Sequence, residues 1–166
     1  PCGIFTALSN NNSISGNSIT NNVYGIWFDY DDGDPPSRYN SISGNSIADN
    51  DFGICLSSSR NTGMNTSIIG NTFTNDGLAI FNSYQNFVED NTVNGKPLVY
   101  LEDISDYNVS DAGQVILVNC DSIRVEDLNL SRATNGVQLW ETNNSIISGN
   151  TITDNYIDGI WLYSSS

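Results

Sequence analysis

The sequence contains no histidine, one methionine, three cysteines and only five lysine and arginine residues among its 166. Without histidine there is no Ser-His or Cys-His nucleophile pair, and the commonest general base is missing. Copper or zinc would need clusters of His, Cys or Met, whereas Cys2, Cys55, Cys120 and Met64 are widely spaced. The five cations, Arg38, Arg60, Lys96, Arg124 and Arg132, stand against nineteen carboxylates, for a formal charge of −14. So acidic a surface repels nucleic acid and anionic membranes, so neither nucleic acid nor direct membrane contact is expected for this segment. No apolar run is long enough to span a bilayer, and no leader-like stretch opens these residues. Charged residues are 14% and hydrophobic ones 38%, so the polar balance falls on Asn, Ser and Thr. That composition suits strands and turns rather than helices.

What the sequence has is repetition. Ser13-Ile14-Ser15-Gly16-Asn17-Ser18-Ile19, closed by Gly25-Ile26, returns as Ser41-Ile42-Ser43-Gly44-Asn45-Ser46-Ile47, closed by Gly53-Ile54. It returns again as Ser67-Ile68-Ile69-Gly70-Asn71-Thr72-Phe73 with Gly77-Leu78, and as Ile147-Ser148-Gly149-Asn150-Thr151-Ile152 with Gly159-Ile160. Weaker copies are Val88/Asn91/Val93/Gly95, Ile104/Tyr107/Val109/Gly113 and Val125/Leu128/Leu130/Gly136. Together these make seven units, and a period of about 22 residues is the mark of a repeat architecture.

After most closing glycines, apolar residues fall at every second position: Ile26 and Phe28, Ile54 and Leu56, Leu78 and Ile80, Val137 and Leu139, Ile160 and Leu162. Period two means a strand with one face buried. A unit of this length holds three short strands and three turns, one coil of a parallel β-helix. Stacked about 4.8 Å apart, equivalent positions become ladders. Ile14, Ile42, Ile68, Val88, Ile104, Val125 and Ile147 are expected in one, and Ile19, Ile47, Phe73, Val93, Val109, Leu130 and Ile152 in another. The Asn at the bend becomes a stack of amides that satisfies the turn backbone, interrupted at Tyr107 and Leu128. The closing Gly supplies positive φ or close approach.

The Gly-Asn-[Ser/Thr]-Ile…Gly-Ile units resemble the right-handed parallel β-helix repeats of NosD-like proteins. That family is named for a periplasmic protein that helps load copper into nitrous-oxide reductase. Asn94-Gly95-Lys96-Pro97-Leu98-Val99-Tyr100 and Asp111-Ala112-Gly113-Gln114-Val115-Ile116-Leu117-Val118-Asn119-Cys120 look like a segment of archaeal cell-surface members. The resemblance implies an all-β, right-handed parallel β-helix of about seven coils. The copper role does not transfer, because the donor residues are missing.

No catalytic constellation emerges. Asp31-Asp32 is the nearest thing to a carboxylate pair for glycoside hydrolysis, yet it lies in an insertion rich in Pro and Gly. In that insertion Asp29, Asp31, Asp32 and Asp34 offer oxygen ligands to calcium, or form a solvated acidic turn. Trp27 and Trp161 point outward if their neighbours point in, and Tyr30, Trp140 and Tyr163 lie near the same strand ends. Such aromatics hold sugar rings, or pack against loops or a partner. Trp27 and Trp161 are expected about six coils apart, too far to share one sugar. Asn-x-Ser/Thr sequons at Asn11, Asn65, Asn108, Asn129 and Asn143 fit a secreted or surface protein. Successive coils separate the cysteines beyond the 7 Å or so that a disulfide spans, so none is expected within the chain, and Cys55 should face outward.

The reading is a single β-helix domain over 1–166, a piece of a longer solenoid, in an extracellular or cell-surface protein. Its role is expected to be structural or adhesive rather than catalytic, without cofactor unless calcium binds. Partners are polysaccharide or neighbouring surface-protein subunits. The alternative is a carbohydrate-binding or carbohydrate-processing module.

Overall fold

The computed structural model describes residues 1–29 and 35–166, with 59–62 described by backbone alone. Among these residues there are strands and no helix. In order they begin with β1 (Cys2–Thr6), β2 (Ser13–Ser15), β3 (Ser18–Thr20), β4 (Tyr24–Phe28), β5 (Ser41–Ser43) and β6 (Ser46–Ala48). Next come β7 (Phe52–Gly63), β8 (Ser67–Ile69), β9 (Thr72–Thr74), β10 (Leu78–Tyr84), β11 (Phe87–Glu89) and β12 (Thr92–Val93). The remainder are β13 (Lys96–Glu102), β14 (Asn108–Val109), β15 (Gln114–Val118), β16 (Arg124–Glu126), β17 (Asn135–Trp140), β18 (Ile146–Ser148) and β19 (Asp158–Tyr163).

Each early repeat gives one strand to each of three parallel stacks, β1-β4-β7-β10, β2-β5-β8-β11 and β3-β6-β9-β12. The registers stack like on like. Ile14 lies beside Ile42, Ile42 beside Ile68 and Ile68 beside Val88. Ile19, Ile47, Phe73 and Val93 form the second ladder. Ile42, Ile47, Ile68, Phe73 and Val93 are fully buried. Each such side chain contributes about 1.5–3 kcal/mol by leaving water.

The polar residues of the repeat serve two purposes. Asn17, Asn45, Asn71 and Asn91 form an amide ladder in which each backbone N–H and each Nδ2 donates to the next Oδ1, at 2.9–3.0 Å. Nδ2 of Asn45, Asn71 and Asn91 also donates to the carbonyls of Ile14, Ile42 and Ile68. Other Asn and Asp residues, among them Asn21, Asp49 and Asn75, hold left-handed corners with φ of 55–59°. The glycines divide likewise. Gly16, Gly44 and Gly70, before the ladder Asn, have positive φ. The closing glycines are needed for close approach instead: a Cβ on Gly53 would stand 2.6 Å from the Gly77 carbonyl oxygen and 2.8 Å from the Phe73 ring.

The seven units do not form one uninterrupted stack. After β12 the chain turns back through Asn94 (φ 52°) and Gly95 (φ 80°), and β13 pairs antiparallel with β12. From there β13-β15-β17-β19 continue the sheet that β3 began, and β14-β16-β18 form another. Gly95 is therefore a hairpin residue and not a closing glycine. Gly113 takes a closing position, where a Cβ would collide with the Val93 carbonyl.

The second half packs across the end of the first. β10 meets three successive strands in turn: Leu78 contacts Gln114 of β15, Ile80 contacts Gln138 of β17, and Phe81 meets Trp161 of β19. Gln114 Oε1 accepts from the Leu78 N–H at 3.0 Å and its Nε2 donates to the Leu78 carbonyl at 2.7 Å. Gln138 brackets Ile80 in the same way. Two side-chain amides thus close the free edge of β10, which would otherwise invite another strand. β15 is buried on both faces: Val115 and Leu117 join the core of the second half, Ile116 and Val118 that of the first.

Two expected ladder positions change. Val109 pairs with Val125, and Val125 with Ile147, so Val109 occupies the position assigned to Ile104. Ile104 is 38% exposed. It lies between Asp103 and Asp106, both in left-handed conformation (φ 58° and 56°), and so is at a corner rather than on a strand.

Candidate functional site

The fold assembles a row of aromatic rings from both halves. Tyr24 and Phe52 precede closing glycines in registered strands and stack at 4.7 Å, and Tyr24 stacks on Trp27 at 4.5 Å. Phe5 meets Trp27 edge-on at 5.3 Å. On the other side Phe52 meets Phe81 and Tyr156, Phe81 meets Trp161 at 5.9 Å, and Trp161 stacks on Tyr163 at 5.8 Å. Phe5, Tyr156 and Tyr163 are exposed, and the rings between them are half-buried. Edge-to-face and offset pairs of this kind are worth about 0.5–1.5 kcal/mol each beyond area burial. Trp27 and Trp161, expected six coils apart, are therefore joined through Tyr24, Phe52 and Phe81, because the chain folds back.

The other aromatic candidates are placed differently. Trp140 is 3% exposed and packs in the core between the halves, its ring 6.3 Å from Tyr84. It presents no open face to solvent. Tyr30, Asp31, Asp32 and Asp34 lie outside the described residues. Asp29 is half-buried, and its N–H donates to the Thr6 carbonyl at 2.9 Å.

Sequence reasoning did not single out Asp76. Asn22, Asn50 and Asp76 form another ladder: Asn22 donates to Asn50 Oδ1, and Asn50 donates to Asp76 Oδ2 through N and Nδ2 at 3.2 and 2.7 Å. Asp76 is fully buried and its Oδ1 has no hydrogen-bond partner. Burial pushes its carboxyl up to about 7, against the Asn50 hydrogen bonds, which pull it down. The aligned runs Thr20-Asn21-Asn22, Ala48-Asp49-Asn50 and Thr74-Asn75-Asp76, each just before a closing glycine, were the available signal.

The thiols and the thioether do not fit copper. Cys55, Cys120 and Met64 are 3%, 2% and 1% exposed. Cys55 lies on β7 against Trp27 and Ala79, whereas Cys120 donates to the Leu101 and Val118 carbonyls in the other half. Burial pushes the Cys55 thiol up to about 12 and raises Cys120 as well, so the thiolate that copper would need is disfavoured. Among the described residues no three His, Cys, Asp or Glu side chains converge as metal ligands. Cys55 was expected outward. It does alternate with inward Ile54 and Leu56, but neighbouring residues cover that face, so it is buried. All three cysteines are free.

Residues 2–77 match the family described as Periplasmic copper-binding protein (NosD). The resemblance read from the repeats therefore holds over that stretch. No curated protein and no solved structure matches the chain. Among the described residues no helix is long and apolar enough to cross a membrane.

Proposed function

We propose, from the NosD match over residues 2–77, that the chain is a non-catalytic scaffold of the cell envelope or extracellular space. Its units wind as right-handed parallel β-helical coils, and its role is structural or adhesive. The observation that carries this reading is the use of the repeat's polar groups. The amides of Asn45, Asn71 and Asn91 are buried and bonded unit to unit, so they serve the stack and not a substrate. Incubation of the protein with neutral and acidic polysaccharides, followed by reducing-end analysis, tests the non-catalytic reading. No product is expected, and release of oligosaccharides refutes it.

The aromatic row favours a second reading, a carbohydrate contact. Its exposed ends, Tyr156 and Tyr163, offer amphipathic rings, and Asp51 lies within interaction range of Tyr156. A glycan array with and without calcium tests this reading, and Trp161→Ala and Tyr163→Ala should each abolish any retention. Calcium at Asp29, Asp31, Asp32 and Asp34 is a separate proposal. Calorimetry at millimolar calcium decides it: no heat leaves the acidic segment a solvated turn.

A further inference from the structure

A cleft of about 410 Å³ lies where the hairpin joins the two halves, within the usual size of a small-molecule site. Two of the chain's five cations, Lys96 and Arg132, line it. In a protein with nineteen carboxylates an arginine readily finds a partner, as Arg124 does with Glu126 at 2.9 and 3.0 Å. The Arg132 guanidinium has no ion-pair or hydrogen-bond partner among the described residues. Lys96 has only Asp111, at 3.6 Å, with both side chains about half exposed, a pair that a better ligand readily displaces.

The cleft is also built rather than incidental. Asn94 Nδ2 donates to the Ser131 and Arg132 carbonyls at 3.0 and 2.9 Å, and Asn94 Oδ1 accepts from the Asn75 N–H at 2.8 Å. The Arg132 N–H donates to the Thr153 carbonyl at 3.1 Å, which fixes the backbone that carries the guanidinium. Apart from Val93 and Gly113, the rest of the wall is amide and hydroxyl, with one carboxylate, Asp154. Once a ligand displaces Asp111 from Lys96, two positive charges face the one carboxylate of the lining, Asp154, for a balance of +1. That balance suits a single carboxylate whose neighbouring hydroxyls meet Asp154 and the amides, and it disfavours a dianion. Planar guanidinium matches planar carboxylate.

We infer that this cleft binds a small hydroxycarboxylate, a sugar acid or hydroxy acid bearing one carboxylate, held by Arg132 and Lys96. The inference is independent of the aromatic row. Glucuronate, glucose and inorganic phosphate are titrated into the whole chain at low ionic strength, with calorimetry as the readout. Glucuronate should bind, glucose should bind at least tenfold more weakly, and phosphate should not compete. Arg132→Gln and Lys96→Gln should each weaken glucuronate at least tenfold while keeping the circular dichroism of the parent. Arg124→Gln, outside the cleft, should leave it unchanged. No glucuronate binding, equal binding of glucose, effective competition by phosphate, or an unaffected Arg132→Gln would each overturn the inference.

Discussion

Replacing Asp76 with Asn should stabilise the protein at neutral and alkaline pH, and the reason lies in the ladder. In Asn50 the Nδ2 donates to the carbonyl two residues back, Ala48, and to Ile19 of the preceding unit, both at 3.1 Å. Asp76 Oδ2 takes the role of the amide oxygen, so Oδ1 occupies the position of that NH₂ and has no partner. A carboxylate there lacks the donor the position calls for, and a proton restores it. The folded-state value near 7 lies above the ordinary 3.8. A raised value means that the stability contribution is fully present below about pH 4 and is lost as pH rises through 7. At about 1.4 kcal/mol per unit, the full loss above pH 7 is at most about 4 kcal/mol. Urea denaturation of the parent and of Asp76→Asn between pH 4.5 and 8 measures it. Repulsion from the remaining charge is nearly common to both proteins, so the difference between them isolates this residue. The variant should lie close to the parent at pH 4.5 and gain up to a few kcal/mol at pH 8. An unchanged difference across that range refutes the reasoning.

Other consequences follow from packing. Ile68→Ala, at a fully buried ladder position, should cost about 2–5 kcal/mol in chemical denaturation. Gly53→Ala sets a methyl against the Gly77 carbonyl and the Phe73 ring and should cost about 1–3 kcal/mol, read as a lowered Tm. Unreduced protein should show the mass of three thiols. In native alkylation at neutral pH, Cys2, which is partly exposed, should react well before Cys55 and Cys120. A mass two hydrogens short would mean that the strand register around these residues is wrong.

The first half was legible because its repeats are close copies. Ile14, Ile42 and Ile68 recur in one sequence context, and strands aligned by that context fall into the observed register. Ile104 was not, because Asp103 and Asp106 spend residues on corners around it, and Val109 reaches the strand position instead. The reversal was also visible in residues whose meaning the repeat obscured. Asn94-Gly95 is a strong hairpin signal. Val115-Ile116-Leu117-Val118 is continuously apolar, as a strand covered on both faces must be, rather than alternating.

Alternation fixes which face a residue takes, but not what covers that face, and this separates the site candidates. Cys55 and Trp27 are neighbours in register on the outer face of one sheet. One is buried and the other half-exposed, because cover over that face is uneven. The cover comes from residues 70 or more positions away in sequence, such as Tyr156 against Phe52 and Trp161 against Phe81. The same folding back puts Arg132 and Lys96 on the wall of one junction cleft, and it buries Trp140 against the end of the first half. Candidate sites in this chain therefore depend on the hairpin at Asn94-Gly95 more than on any single repeat. A change that loosened that turn should disperse the aromatic row and the cation-lined cleft together, while leaving the amide ladder from Asn17 to Asn91 within the first half.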